Sequence, residues 1–210
     1  MINLETSKLA DKNMLIFLGG AHSVGKSTVL NELRRKESID SINIVSMSDT
    51  IHKASMERYS KSIVELNQDP ILRDKLQYAI ISSLKELQYS FTILDGHYIA
   101  TDPVGPISAN YNTNENYMIR FNAQVVLTAK PETILARRLV KNQGIWSTSI
   151  ESIRSEQEME ISESKRIGSI FNTPVYVIDN DDAGAKDTAE KIWKIMITLK
   201  TIGMNLNAND

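Results

Sequence analysis

An α/β fold, a five-stranded parallel sheet wound on both faces by helices, follows from two features of the sequence. Short apolar runs alternate with helical patterns, and the first run is closed by glycines that lead into a helix. That first run, residues 13–19, is apolar after Asn13, as a strand buried on both sheet faces must be. Residues 26–36 place Val29, Leu30 and Leu33 on one helical face, and residues 41–47 return to a β-branched pattern, completing one βαβ unit. Residues 49–59 read as a shorter helix. Asp69-Pro70 signals the start of a long amphipathic helix over 69–88, in which Leu72, Leu76, Ile80, Leu84 and Leu87 recur at three- and four-residue spacing. Residues 91–95, 123–129 and 174–179 supply the other three strands. Between the last two, residues 132–140 and 150–170 are helical around a polar break at 141–149 containing Gly144, an insertion able to move. Ala189, Ile192, Trp193, Met196 and Leu199 form the apolar face of the last helix, and residues 205–210 are expected to fray.

A chain of 210 residues that is 41% hydrophobic has the material for one domain with one sizeable core, so 1–210 is read as a single unit. The 24 basic and 26 acidic residues leave a formal charge of -2, which removes the positive field that generic nucleic-acid binding needs. The absence of cysteine excludes disulfides, thiolate metal sites and cysteine nucleophiles. No apolar run reaches the roughly 18 residues of a membrane span, and the first residues lack a basic start and an apolar stretch. The expectation is a cytoplasmic protein without membrane partners; a homo-oligomer is compatible with the sequence.

The sharpest chemical signal is Gly20-Ala21-His22-Ser23-Val24-Gly25-Lys26-Ser27, followed by Thr28. It fits G-x-x-x-x-G-K-[ST] and lies between a predicted strand and a predicted helix, as a phosphate-binding loop requires. The glycines let the backbone curl so that its amides converge on phosphate oxygens, and the helix N-terminus adds partial positive charge. Lys26 would reach the β- and γ-phosphates, and Ser27 would offer its hydroxyl to magnesium. The plain alternative is a glycine turn. His22 is expected to contribute a backbone amide more than its imidazole. The predicted class is therefore an α/β P-loop NTPase with ATP and Mg2+ as ligands.

Asp95 ends an apolar strand before Gly96-His97, so its carboxylate should emerge at the carboxyl edge of the sheet, where ligands of open α/β sheets bind. There it would hold magnesium through water or accept a proton from an attacking hydroxyl; the alternative is a turn residue ahead of Gly96. His97 divides between acceptor contact and local packing. Arg137 and Arg138 lie on the helix opened by Lys130-Pro131-Glu132-Thr133. Side by side on a helix they point about a hundred degrees apart, so one could face nucleotide and the other solvent or the mobile segment. A solvated, salt-bridged face is the alternative. Glu151, Arg154, Glu156, Glu158, Glu160, Glu163, Lys165 and Arg166 read as a charged surface helix outside the site.

From Met14 to Asn180 the chain resembles the archaeal-type adenylate kinases and their relatives among P-loop nucleotide kinases. The resemblance is carried by the loop at 20–28, Ser48-Asp49, residues 93–97 continuing to 101–106, residues 130–139 and residues 174–180. It implies ATP-Mg on Gly20 to Thr28, Asp95 near the metal, Arg137 and Arg138 approaching phosphates from a lid at about 137–160, and an acceptor near Asp49, His97 and Thr101. The acceptor region would span about 48–90. The sequence departs from the family pattern where arginines are expected: the lid centre reads Asn142-Gln143-Gly144-Ile145-Trp146, Ile161 stands early in the next helix, and Ala100 precedes Thr101. Arg73, Arg120, Arg154 and Arg166 are the residues available to compensate. The leading expectation is ATP-dependent phosphoryl transfer to a nucleoside monophosphate. A kinase of another small hydroxylated molecule and a slow ATPase acting as a regulator are the alternatives. No Asn-Lys-x-Asp segment points to a guanine-specific switch.

Overall fold

The computed structural model describes residues 14–36, 42–62, 65–66, 68–85, 89–102, 105–109, 121–141, 147–181 and 184–207. Strands β1 (Met14–Gly20), β2 (Ile42–Ser46), β3 (Phe91–Asp95), β6 (Ala123–Thr128) and β7 (Val175–Asp179) form one parallel sheet in the order β2-β3-β1-β6-β7. The helices are α1 (Lys26–Arg34), α2 (Met47–Tyr59), α3 (Pro70–Lys85), α4 (Pro131–Lys141), α5 (Ile150–Phe171) and α6 (Gly184–Asn207).

Alternation along the central strand explains the double winding. Ile16 and Leu18 enter one core with Val29, Leu30 and Leu33 of α1 and Ile192 and Met196 of α6. Leu15 and Phe17 enter the opposite core with Met47 and Ile51 of α2, Leu76, Ile80 and Ile81 of α3, and Ile167 of α5. A strand covered on both faces needs apolar side chains at every position, which is why 14–20 shows no polar alternation.

The chain leaves β1 toward β2 and β3 on one side and later toward β6 and β7 on the other, so the switch point lies at β1. Leu18 pairs with Asp95 and Gly20 with Leu127. The register sets the end of β3 beside the loop that leaves β1.

One expectation is corrected, and two features add to the sequence reading. A two-stranded antiparallel ribbon, β4 (Ile99–Asp102) with β5 (Gly105–Ala109), follows β3; Gly-Pro-containing residues gave no strand signal. Residues 205–207 continue α6, so the fraying expected from 205 onward does not begin there; 208–210 lie outside the described residues. Residues 150–160, within the segment expected to form the lid, bury Ile153, Glu156, Gln157 and Glu160. Among the described residues, no helix is long and apolar enough to cross a membrane.

Candidate phosphate-loop site

Between β1 and α1 the backbone takes three left-handed positions, Gly20 (φ 136°), Ser23 (φ 67°) and Gly25 (φ 110°). Gly20 and Gly25 are also sterically required: a Cβ would lie 2.5 Å from the Leu127 carbonyl oxygen at Gly20 and 2.5 Å from Asn180 Nδ2 at Gly25. The loop therefore closes tightly against β6 and the residue after β7. Gly25 is the N-cap of α1, so the first helical turn, with Lys26, Ser27 and Thr28, opens on the loop's concave side.

A cleft of about 260 Å3 is lined by Ala21, His22, Ser23, Val24, Gly25, Lys26, Ser27 and Thr28, by Ser46 and Ser48 at the start of α2, and by Asp95, Gly96 and His97. Lys26 is buried; its Nζ donates to the Gly20 carbonyl at 2.8 Å and lies 3.2 Å from His97 Nε2. Asp95 is half-buried, and its Oδ1 is shielded from solvent without a hydrogen-bond partner among the described residues. Burial pushes the Asp95 carboxyl above its ordinary range; the Lys26 ammonium opposes this and the Asp49 carboxylate adds to it.

The remaining side chains form a buried layer beneath the loop. The His22 and His97 rings stack at 3.9 Å, 13° from parallel. Burial lowers the pKa of both, that of His97 well below the ordinary value with the Lys26 ammonium as second cause. Glu156 Oε1 accepts from the His22 amide at 2.8 Å and lies 3.0 Å from His22 Nδ1. Burial pushes Glu156 upward, but hydrogen bonds from His22 and Arg138 outweigh it and hold the carboxyl below its ordinary value. Glu160, fully buried, accepts from the amides of Gly20 (3.0 Å) and Tyr98 (3.1 Å) through Oε2, and burial pushes its pKa up to about 7.

Of the alternatives open to the arginine pair, Arg138 takes the contact with the 141–149 segment, through Ser147. Arg137 is half-buried and donates to the carbonyls of Val24 (2.6 Å) and Asn180 (3.4 Å). Arg138 is buried: Nη2 lies 2.6 Å from Glu156 Oε2, Nε and Nη2 donate to the His22 carbonyl, and Nη1 donates to the Ser147 carbonyl. Both brace the loop through its carbonyls, and neither lines the cleft. Asp49, in the first turn of α2, is exposed and does not line the cleft either, whereas Ser46 and Ser48 beside it do. Thr101 lies in β4 with its side chain outside the described residues.

Of the compensating arginines, Arg73 pairs with Asp74, Arg154 with Glu151 and Arg166 with Glu163, all local contacts away from the cleft lining. Arg120 and the lid centre 142–146 lie outside the described residues. Glu156, Glu160 and Asn180 were missed as site-proximal residues. Their signal was present: Ile153, Glu156, Gln157, Glu160, Ser164 and Ile167 fall at three- and four-residue spacing, so the acids interrupt an apolar stripe and belong to the buried face. Counting charges along the helix hid that periodicity.

The cleft's donor set suits a polyphosphate with magnesium better than a free metal ion. Left-handed glycines, a helix N-terminus and an ammonium offer hydrogen-bond donors and positive charge, while the Ser27 hydroxyl and the unpaired Asp95 oxygen are hard oxygen ligands. Among the described residues no group of three or more His, Cys, Asp or Glu side chains is placed to hold a metal without such a partner.

A family model described as an AAA domain matches residues 19–154, more than half of the chain. No curated protein matches the sequence. Among solved structures, TT1252 from Thermus thermophilus is 12% identical with a TM-score of 0.55, over 89% of this chain and 97% of that one. Thymidylate kinase from Candida albicans is 18% identical with a TM-score of 0.55, over 90% and 93%. Shikimate kinase from Bacteroides thetaiotaomicron is 16% identical with a TM-score of 0.49, over 87% and 98%. The matches meet the broader resemblance to P-loop kinases and do not single out the archaeal adenylate kinases. With a family match over residues 19–154 that takes in the left-handed glycine loop, and a five-stranded parallel sheet around that loop, the chain belongs to the AAA-domain family, as a P-loop domain of kinase-like fold.

Proposed function

We propose that the protein is an ATP- and magnesium-dependent phosphotransferase that moves the γ-phosphoryl group to a small acceptor, with a nucleoside monophosphate as the first acceptor to test. The observation that carries this reading is the convergence of Lys26, Ser27, Asp95 and His97 with the left-handed loop on one cleft at the sheet's switch point. In this reading the loop amides and Lys26 bind and orient the phosphate chain. Ser27, together with Asp95 in its metal-organising role, would hold magnesium, which when bound supplies charge neutralisation for the phosphate chain. The other role open to Asp95, in place of ordering the metal, is to take the acceptor's hydroxyl proton, for which burial has raised its pKa. Catalysis is then mostly positioning and charge stabilisation. The acceptor side is assigned to 48–90, with Ser46, Ser48 and His97 on the cleft wall and Asp49 and Thr101 nearby; 137–160 is assigned to the lid.

A second reading, a kinase of a nucleoside or another hydroxylated molecule, is favoured by the local pairing of Arg73, Arg154 and Arg166, which leaves the cleft lining without them. Purified protein incubated with magnesium-ATP and a panel of monophosphates, nucleosides or no acceptor separates the readings when ADP and phosphorylated product are both followed. Product matched to ADP with a monophosphate supports the first; product only with unphosphorylated acceptors supports the second. Slow ADP release without product, lost in Lys26→Ala, overturns both in favour of a nucleotide-dependent regulator.

A further inference from the structure

Two buried side chains hold His22 of the phosphate loop at both of its backbone polar groups. The His22 amide donates to Glu156 Oε1 at 2.8 Å, and its ring Nδ1 lies 3.0 Å from the same oxygen. The His22 carbonyl accepts from Arg138 Nε at 3.3 Å and from Nη2 at 3.1 Å. Arg138 Nη2 also donates to Glu156 Oε2 at 2.6 Å, and Nη1 donates to the Ser147 carbonyl at 2.7 Å, so the plane of the guanidinium is fixed. Burial opposes ionisation of Glu156, but the bonds from His22 and Arg138 hold its carboxyl below the ordinary value. His22 lines the cleft and Glu156 does not, so the acid reaches the site only through the loop. The next residue, Ser23, stands at a φ of 67°, and the Val24 carbonyl after it is held by Arg137 and Asn180. A left-handed residue with a side chain persists only where its surroundings over-determine it, and Ser23 is flanked by two such clamps.

We propose that Glu156 is a positioning residue for the phosphate loop: with Arg138 it fixes the amide and the carbonyl of His22, and so holds Ser23 in the left-handed turn that aims the following amides into the cleft. The proposal rests on the reading that the cradle takes nucleotide, but its first half concerns the free protein. The motif alone would count the His22 amide among the donors to phosphate; here that amide is committed to Glu156. The carboxylate is required because both of its oxygens accept. Glutamine has one oxygen. Turned to the cationic Arg138, the stronger partner, it leaves its NH2 group facing the His22 amide, donor against donor.

The chain has 3 histidines, so nitrogen-15 labelling of histidine alone resolves their backbone amides, assigned with His52→Asn and His97→Asn. Exchange of the His22 amide with solvent reads the contact in the free protein. Titration with magnesium-ATP reads the affinity of the folded protein, with the unfolding midpoint measured in parallel. The wild type is expected to exchange its His22 amide slowly. Glu156→Gln should exchange it about tenfold faster and bind magnesium-ATP about tenfold more weakly, the scale of one hydrogen bond to a charged group. Loss of a negative charge beside an anion site would by itself tighten binding, and a merely structural role would lower the midpoint without changing the affinity of the folded protein. Weakening therefore separates positioning from both. Rapid His22 exchange in the wild type, unchanged exchange in the variant, or unweakened binding overturns the proposal. If Glu156→Gln does not fold, the same readings on Glu156→Asp, which keeps the charge but is one methylene short of reaching both partners, decide. If the wild type shows no Lys26-dependent nucleotide binding, the proposed function fails, while His22 exchange still decides whether Glu156 holds the loop.

Discussion

Lys26 and Asp95 face the same cleft with opposite consequences for stability and activity. Lys26→Ala removes the one ammonium on the cleft lining among the described residues, and magnesium-ATP-dependent ADP formation should fall by about 100-fold or more, the scale of losing one preorganised charge-stabilising donor. Asp95→Asn keeps the shape of the side chain but removes a carboxylate whose pKa burial has raised, so the ionised form costs stability at neutral pH. That variant should melt higher than the wild type while turning over more slowly; a lower melting temperature would show that the ionised carboxylate is satisfied in the folded protein. Gly25→Ala combines a φ of 110° with a Cβ 2.5 Å from Asn180 Nδ2. The strain should cost about 1–3 kcal/mol in urea unfolding and abolish nucleotide binding, because Asn180 and Arg137 share the Val24 carbonyl that the shift would disturb. Retained affinity would contradict the cradle geometry.

At the scale of elements, the helix–loop contacts distinguish what periodicity reveals from what only packing decides. The five strands, α1 and the start of α3 were legible because a doubly covered strand is continuously apolar and a helix entrance carries Asp-Pro. The β4–β5 ribbon was not, since its pairing depends on a partner strand and a register shift between Ala100 and Thr101 that no local pattern encodes. The loop at 20–28 was legible as a motif, whereas the destinations of Arg137 and Arg138 depended on the rotation of α4 about its axis. Arg138 is the sharpest case, since its side chain is 2% exposed against a 6% exposed Glu156. Removing one partner of a buried ion pair leaves an uncompensated charge, so Arg138→Met should lose about 3 kcal/mol in denaturant unfolding. Arg154→Met, which breaks an exposed pair on α5, should lose less than about 0.5 kcal/mol. Equal losses would mean that Glu156 is supported by His22 alone.

Over the whole molecule, the buried layer under the loop makes stability depend on pH in opposing ways. Burial raises Glu160 from 4.5 to about 7, so the folded chain keeps a proton that the unfolded chain releases within that interval. The stability carried by the neutral form is lost as pH rises through it. His22 and His97 act with the opposite sign: their folded pKa values lie below 6.5, so they destabilise the fold as pH falls below that value. Glu156, held below 4.5, adds a loss of stability at still lower pH. The wild-type profile therefore mixes several contributions, but the difference between Glu160→Gln and wild type isolates one. The neutral amide does not titrate, so the variant should gain on the wild type as pH rises from 4.5 and level off above 7. The gain should be on the order of 2–3 kcal/mol, the magnitude of a shift of this size for a buried carboxyl. Chemical denaturation of both proteins at half-unit steps between pH 4.5 and 8 measures it. A flat difference would place Glu160 in the ordinary carboxylate range, with the Gly20 and Tyr98 amides and the Lys26 ammonium fully offsetting its burial.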